Sequence, residues 1–235
     1  MVRLLVECSN VLFRLKAPFP IEQISIRFMD NYYPGSADGV VELGILEPNV
    51  VSNAVHEIGH KVYERTIGLK INNDQLALSA NFSWNCIYLY SLGNNLWQML
   101  KDSSFIGSGS YGHPQDNASE LFASAFHAFV MYPREFAERI QSADAKSEKF
   151  GKLVRLFMRD VIFNKHAFLG KDPFADHEFG RQISSLSASE VLDSWDKARG
   201  CEYPYLTDLD LQCSRVYYVV EQLKVILARK TFTGS

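Results

Sequence analysis

A histidine pair with an intervening glutamate is the part of this sequence whose residue types and spacing suit metal chemistry. The segment reads His56-Glu57-Ile58-Gly59-His60. Side chains four residues apart share one face of an α-helix, so both imidazoles can bind a single ion. Glu57 then lies beside the ion, where a carboxylate can take a proton from metal-bound water. The spacing predicts a zinc hydrolase site; the alternative is two histidines that are hydrogen-bonded in a polar core without a metal.

A catalytic zinc site needs a third protein ligand and keeps its fourth position open. Glu64 shares a helix face with His60, but it lies roughly 12 Å along the axis from His56 and cannot converge with it on one ion. Glu120 is the best candidate, because it stands beside bulky apolar residues where an unpaired carboxylate is costly to bury. A favourable first-turn charge on the helix dipole is the alternative role for Glu120. Three further residues are reserve ligands: His113, Asp116 and His127, of which we expect His127 in the core or behind the ligands.

A tyrosine lies in the loop that precedes the predicted ligand helix. Residues 102–116 are rich in Gly, Ser and other polar types, which is typical of a loop. Within it, Tyr111 stands nine residues before Glu120. A phenol near the metal can donate a hydrogen bond to the oxyanion that forms when water attacks a peptide carbonyl. We therefore predict Tyr111 as a second catalytic residue, with a simple packing role as the alternative.

The elements that must position these residues indicate an α+β fold, with a small mixed β-sheet at the N-terminal side and a predominantly helical body. Residues 1–46 are strand-rich, because β-prone segments alternate with turn residues there. A helix of about 18 residues between Pro48 and Gly68 is predicted to carry the histidine pair. A second helix, from Asn117 to Met131, is predicted to carry Glu120 and to end before a proline.

The rest of the chain is predicted to be helical and to cover and brace the site. Apolar helices are expected between Asp74 and Leu100, with a break near Gly93. Later helices are expected to begin at Ser147, at the Ser187–Glu190 capping box and at Thr207. We treat the chain as a single domain, 1–235, with a strand-rich part (1–46), the active-site helices and loop (47–135) and a helical C-terminal extension (145–235).

Composition and charge argue against several kinds of partner. The net charge is −3 over 235 residues, and there is no Lys/Arg run that would follow a phosphate backbone, so no nucleic-acid partner is expected. No stretch approaches the roughly 20 apolar residues that span a bilayer, and the N-terminus is a poor secretory signal. We expect no membrane association, and a protein that is cytoplasmic or else delivered or virion-associated. The four cysteines are far apart and are expected to be free thiols.

Several of these residues together resemble a known family. The HEIGH segment, the tyrosine-containing loop and the sequence NASELFA that starts at Asn117 resemble the catalytic domain of the anthrax lethal factor type and the related Pro-Pro endopeptidases. Both are gluzincin-like zinc metallopeptidases, and the similarity covers about residues 39–132. The resemblance implies zinc ligands at His56, His60 and Glu120, a general base at Glu57 and a transition-state hydrogen-bond donor at Tyr111. The chain departs from the family at Ser124, where an acidic residue is usual.

The resemblance also implies a substrate that binds in an extended conformation. In that family an edge strand before the motif helix pairs with the substrate, and Gly39–Ile45 is the corresponding segment here. Addition of a peptide strand to a sheet edge supplies main-chain hydrogen bonds. The expectation is a zinc-dependent endopeptidase that acts on a peptide or protein bound along Gly39–Ile45. The alternative, motivated by Ser124 and the large helical portion, is a non-catalytic zinc-containing protein that binds peptides or serves in virion or effector assembly.

Overall fold

The computed structural model of the chain describes residues 25–30, 35–37, 40–44, 50–67, 75–101, 113–163, 178–200 and 212–232. The expected α+β class is confirmed, because a small sheet near the N-terminal side precedes a body of helices. Tyr111 and residues 1–24 of the predicted strand-rich part lie outside the described residues. Within the described part of the chain, no helix combines the length and the hydropathy needed to cross a bilayer.

The sheet contains three strands, β1 (Ser25–Met29), β2 (Gly35–Ala37) and β3 (Val40–Gly44), in the order β1-β3-β2. Strand β1 runs parallel to β3, and β2 runs antiparallel to it. The side chains of β3 alternate as the sequence predicts, since Val41 and Leu43 are fully buried while Glu42 is only partly buried. Glu42 accepts a hydrogen bond from Arg27 of β1 at 2.8 Å. The sheet is therefore mixed, with one face against the core.

Strand β3 is the central strand of this sheet, which corrects the expectation for the substrate edge. The sequence placed an edge strand at Gly39–Ile45, but the described part of that segment is paired with β1 along its whole length. On its other side β2 pairs with Val40, Val41 and Glu42. The prediction was wrong because the short strand β2 also pairs with β3, a pairing that alternation within β3 does not reveal. The outer strands of the described sheet are β1 and β2.

The described helices carry most of the chain. They are α1 (Val50–Thr66), α2 (Gln75–Leu92), α3 (Gln98–Lys101), α4 (Ala118–Met131), α5 (Pro133–Ser142), α6 (Ala145–Leu156), α7 (Glu178–Ile183), α8 (Ala188–Gly200) and α9 (Gln212–Phe232), with a π-helical segment (Phe157–Phe163) after α6. The predicted motif helix, the predicted ligand helix and the break at residues 93–97 are confirmed. Helices α5 and α7 were not predicted.

Helix ends follow the local sequence. The Asn117 side chain accepts a hydrogen bond from the backbone N–H of Glu120 at 2.9 Å and so caps α4 at its N-terminus. At the start of α8, the Ser187 N–H donates to Glu190 Oε2 at 2.9 Å, and the Glu190 N–H donates to Ser187 Oγ at 3.2 Å. This reciprocal pair is the predicted capping box. Each cap satisfies N–H groups that a helix cannot bond internally.

The hydrophobic core runs from the sheet through α1 and α4 into the later helices. At its centre the Trp84 ring lies 5.3 Å from the Phe122 ring and 4.8 Å from the Phe157 ring, measured between centroids. Helix α2, helix α4 and the π-helical segment are therefore joined by one aromatic cluster. Cys86 is free and buried, and burial raises its pKa to about 12, which keeps it a thiol. The treatment of residues 1–235 as a single domain stays a prediction.

Candidate metal centre

Helices α1 and α4 pack with an unusually close approach of their backbones. A Cβ atom built on Gly59 of α1 would lie 2.9 Å from the Cα of Ala123 and 3.3 Å from side-chain atoms of Phe126. Real Cβ atoms essentially never come that near to a backbone atom. Glycine at this position of the HEIGH segment therefore permits the helix separation that the site requires. Gly59 is visible in the sequence, but only the packing of α1 on α4 shows why a residue without a side chain is needed there.

This packing brings the two imidazoles of α1 to one carboxylate of α4. His56 Nε2 lies 3.3 Å from Glu120 Oε2, and His60 Nε2 lies 3.3 Å from Glu120 Oε1. The His56 and His60 rings are nearly perpendicular, with centroids 4.9 Å apart. The three predicted ligand residues are thus brought together by two helices, although His60 and Glu120 are 60 positions apart in the sequence. Their side chains are 14%, 13% and 24% exposed, so the cluster is enclosed but still reachable.

The donor atoms of this cluster suit zinc. Each imidazole Nε2 lies 3.3 Å from a different oxygen of Glu120. Two imidazole nitrogens and a carboxylate oxygen are a donor set found in catalytic zinc sites. The residues present therefore fit the metal.

Glu57 lies beside this cluster. It is 8% exposed, and one of its carboxylate oxygens lies within 4.8 Å of a ring nitrogen of His56 and of His60. Burial raises the pKa of Glu57, the positive charges of His56 and His60 oppose that rise, and the negative charge of Glu120 adds to it. The Glu120 oxygens lie 3.3 Å from the two imidazoles. Two carboxylates, Glu57 and Glu120, therefore lie beside the histidine pair.

The ionisation of Glu120 is coupled to that of His60. Burial disfavours the charge on Glu120, but hydrogen bonds and charge interactions with His56 and His60 outweigh it and hold the pKa of Glu120 well below its usual range. Burial likewise lowers the pKa of His60, yet the hydrogen bond and charge of Glu120 raise it overall. The opposite shifts of the two pKa values have one cause, the attraction between the Glu120 carboxylate and the imidazoles. A cation that binds here would compete with protons for the same side chains.

A serine on α4 orients His60. The Oγ of Ser119 lies 2.9 Å from His60 Nδ1. If His60 Nε2 binds a metal ion, Nδ1 carries the proton of the neutral ring and can donate it to Ser119 Oγ. A partner of this kind fixes the ring orientation of a metal-binding histidine. Sequence reasoning missed Ser119, although its position directly before the proposed ligand Glu120 was a usable signal.

His127 lies in the core behind the ligands, as the sequence indicated. It is 2% exposed, and its Nε2 lies 2.5 Å from Ser52 Oγ. Its ring also contacts the ring of Tyr132, with centroids 5.5 Å apart. Burial first, and then the charge of His56, lower the pKa of His127 to about 3. The imidazole is therefore neutral at physiological pH and is paired with a hydroxyl.

The remaining candidates take other partners. Glu64, 54% exposed, accepts a hydrogen bond from the buried ammonium of Lys61 at 2.9 Å, which agrees with its exclusion as a ligand. His113 is 58% exposed, and its nearest described acidic partner is Asp116 at 3.9 Å. Neither His113 nor Asp116 belongs to the cluster of described residues that could hold an ion. The role of Tyr111 stays a prediction.

Comparisons of this chain with protein-family models, with curated proteins and with solved structures found no match. The geometry of the α1–α4 site is the observation from which a function can be argued.

Proposed function

We propose that this protein is a zinc-dependent peptide hydrolase with His56, His60 and Glu120 as ligands and Glu57 as general base. One observation carries the proposal. Two imidazole nitrogens on α1 each lie 3.3 Å from an oxygen of one carboxylate on α4, and a second carboxylate, Glu57, lies alongside. This is the donor set of a catalytic zinc site. The resemblance of the HEIGH and NASELFA segments to gluzincin-like metallopeptidases supports the same assignment.

The chemistry follows from where the side chains lie. Zinc at this position would act as a Lewis acid toward a water molecule and toward the scissile carbonyl. Glu57 accepts a proton from the attacking water as the new C–O bond forms, and it donates that proton to the amine as the C–N bond breaks. Its raised pKa makes it a stronger base than an exposed glutamate. Glu120 remains ionised throughout, because its pKa is held low.

A peptide or protein is the substrate that we propose. The support is the resemblance, together with a sheet that contacts helix α1 through β3 and β2. Since β3 is central, an extended peptide would pair with an outer strand of the sheet and not with Val40–Gly44. Peptide main chain offers the regularly spaced donors and acceptors that such pairing needs.

Replacement of the general base tests the proposal. Glu57→Gln keeps the size of the side chain but removes the basic oxygen, so we expect turnover of a peptide library to fall by about 10²–10⁴-fold. Zinc content should stay near one ion per chain, since the three ligands are untouched. The matched control is Glu138→Gln, which makes the same change at an exposed position of α5 and should leave both quantities unchanged.

The results also separate the two candidate roles. Cleavage that persists in Glu57→Gln would contradict the proposed mechanism. Bound zinc without turnover in the unaltered protein would favour the alternative, a non-catalytic zinc protein that binds peptides or serves in assembly. A protein that binds no zinc in the presence of excess metal would remove the basis of both roles.

A further inference from the structure

Helix α9 carries the three large apolar side chains that are exposed in the described part of the chain. Tyr218 is 62% exposed, Val225 is 43% exposed and Ile226 is 40% exposed. A single exposed apolar residue is ordinary on a protein surface. Here all three lie within about two turns of one helix, and a grouped apolar surface marks an interaction site. We call the side of α9 that presents Tyr218 and Val225 its outer face.

The opposite side of α9 is already packed against the body of the protein. Val219, Val220 and Leu223 are buried, and α9 contacts α2 and α8. Tyr218 and Val225 are seven residues apart and so share one side of the helix, which is roughly opposite Leu223. A helix with a single packed side normally has a polar opposite side. Apolar residues on both sides therefore indicate that α9 has a second partner.

The charged residues of the outer face are complementary to a second copy of themselves. Glu221 lies four residues before Val225 and Arg229 lies four residues after it, so the two charges stand about one turn to either side of Val225. Both residues are exposed. When two α9 helices pack antiparallel around a two-fold axis at Val225, Glu221 of each copy lies level with Arg229 of the other. A parallel arrangement would instead set glutamate against glutamate and arginine against arginine, which is unfavourable.

The ion pair that Glu221 makes within its own helix leaves it able to take part. Lys224 Nζ lies 2.7 Å from Glu221 Oε1, and the two side chains are 57% and 62% exposed. Exposed pairs of this kind contribute little to stability. A carboxylate also has two oxygens with several acceptor positions, so Glu221 can accept a hydrogen bond from an arginine of another copy while it stays bonded to Lys224.

We propose that the outer face of α9 is a self-association surface on which two copies of this chain pair antiparallel, with Val225 at the two-fold axis. The same patch then serves both copies, as in the isologous interfaces of two-fold dimers. Apolar side chains lie at its centre, and the Glu221–Arg229 pairs fix the direction and register of the helices. Because one helix buries a small area, the dimer is weak and dissociates on dilution. This inference is independent of the proposed zinc site.

Sedimentation of the full chain over a range of concentrations tests the proposal. We expect the average mass to rise from that of one chain to that of two as the concentration increases. Val225→Asp places two carboxylates against each other at the axis, so the dissociation constant should rise more than about tenfold. Val225 is exposed, so the variant should fold, and thermal unfolding of both proteins checks this. The control Glu138→Arg, on an exposed part of α5, should leave the mass profile unchanged.

Exchange of the two charges tests the antiparallel arrangement. Glu221→Arg alone and Arg229→Glu alone each bring like charges together, and each should weaken the dimer more than about tenfold. The double variant E221R/R229E restores opposite charges and should recover the dissociation constant of the unaltered chain. Failure of the double variant to recover would overturn the arrangement. A chain that stays a monomer at every concentration, whether or not α9 binds lipid vesicles, would overturn the proposal, as would a dimer that persists in Val225→Asp.

Discussion

The α1–α4 helix pair and the C-terminal helices α6–α8 handle their polar groups in different ways. Between α1 and α4, side chains such as Ser52 and His127 are buried and meet across the interface. Around α6 and α8, the corresponding bonds lie at exposed helix ends, as in the caps formed by Asp144 and Ser187. Two buried side chains there are exceptions. Asp160 accepts hydrogen bonds from its neighbour Arg159 and from the N–H of Phe179. Ser194 of α8 donates to the carbonyl of Tyr90 at 2.8 Å.

From this difference we expect that substitutions in the α1–α4 interface affect the proposed metal site and that substitutions at the ends of α6 and α8 do not. Bonds across the α1–α4 interface link two segments that must stay in register for the ligands to meet, so they should affect stability and zinc affinity together. Bonds at the ends of α6 and α8 satisfy local backbone groups and should affect stability alone. The following substitutions test that contrast.

The largest effect is expected from Gly59→Val, compared with Gly151→Val in α6. Both side chains would overlap their neighbours, and each change should cost about 3 kcal/mol of unfolding free energy. The obstacle at Gly59 is the backbone of α4, whereas at Gly151 it is side-chain atoms of Ile140 and Met99 at 2.6 and 2.8 Å. We therefore expect zinc affinity to fall more than tenfold in Gly59→Val and to persist in Gly151→Val, measured by chelator competition. An equal loss of zinc affinity in both variants would contradict the proposed difference between the α1–α4 interface and the C-terminal helices.

An intermediate effect is expected from His127→Gln, through the pH dependence of stability. Because the folded-state pKa is lowered to about 3 from 6.5, the unfolded chain binds a proton that the folded protein does not bind between these values. Stability that is present above pH 6.5 is therefore lost as the pH falls, by up to about 1.4 kcal/mol per pH unit. Glutamine can keep a bond to Ser52 but cannot titrate.

Urea unfolding in the presence of a chelator, at about pH 6.5 and about pH 5, measures this contribution. Between the two conditions the unaltered protein should lose up to about 2 kcal/mol more than His127→Gln. Parallel pH profiles would show that His127 accepts a proton in the folded state, against its proposed place in a sealed interface.

The smallest effect is expected from Ser187→Ala at the start of α8. The substitution removes the hydroxyl of the capping box and should cost about 1 kcal/mol. Lys149 still donates a hydrogen bond to Glu190 at 2.8 Å, and this contact limits the loss of unfolding free energy. Zinc affinity and turnover should not change, since the bond is exposed and local. A thermal unfolding curve together with a zinc titration is sufficient, and any loss of zinc here would contradict the separation of the two regions.

Much of the helical architecture could be predicted because its signals are local. The spacing of the histidine pair, the Asn117 cap and the Ser187–Glu190 box each act within one or two turns of chain. The identity of Glu120 as a ligand candidate was also predictable, since a carboxylate amid large apolar residues needs a partner. Helix α5 was missed because its start depends on Pro133 at a first helical position directly after α4.

The sequence by itself determined that two imidazoles share a helix face, that a carboxylate opens a second helix and that the body of the protein is helical. Tertiary structure alone decided that β3 is central, that Ser119 meets His60 and that Gly59 faces Ala123. The physical reason is that periodicity defines which face of an element is buried, while strand order and helix register depend on packing between segments far apart in the chain. The close contact at Gly59 sets that register for α1 and α4.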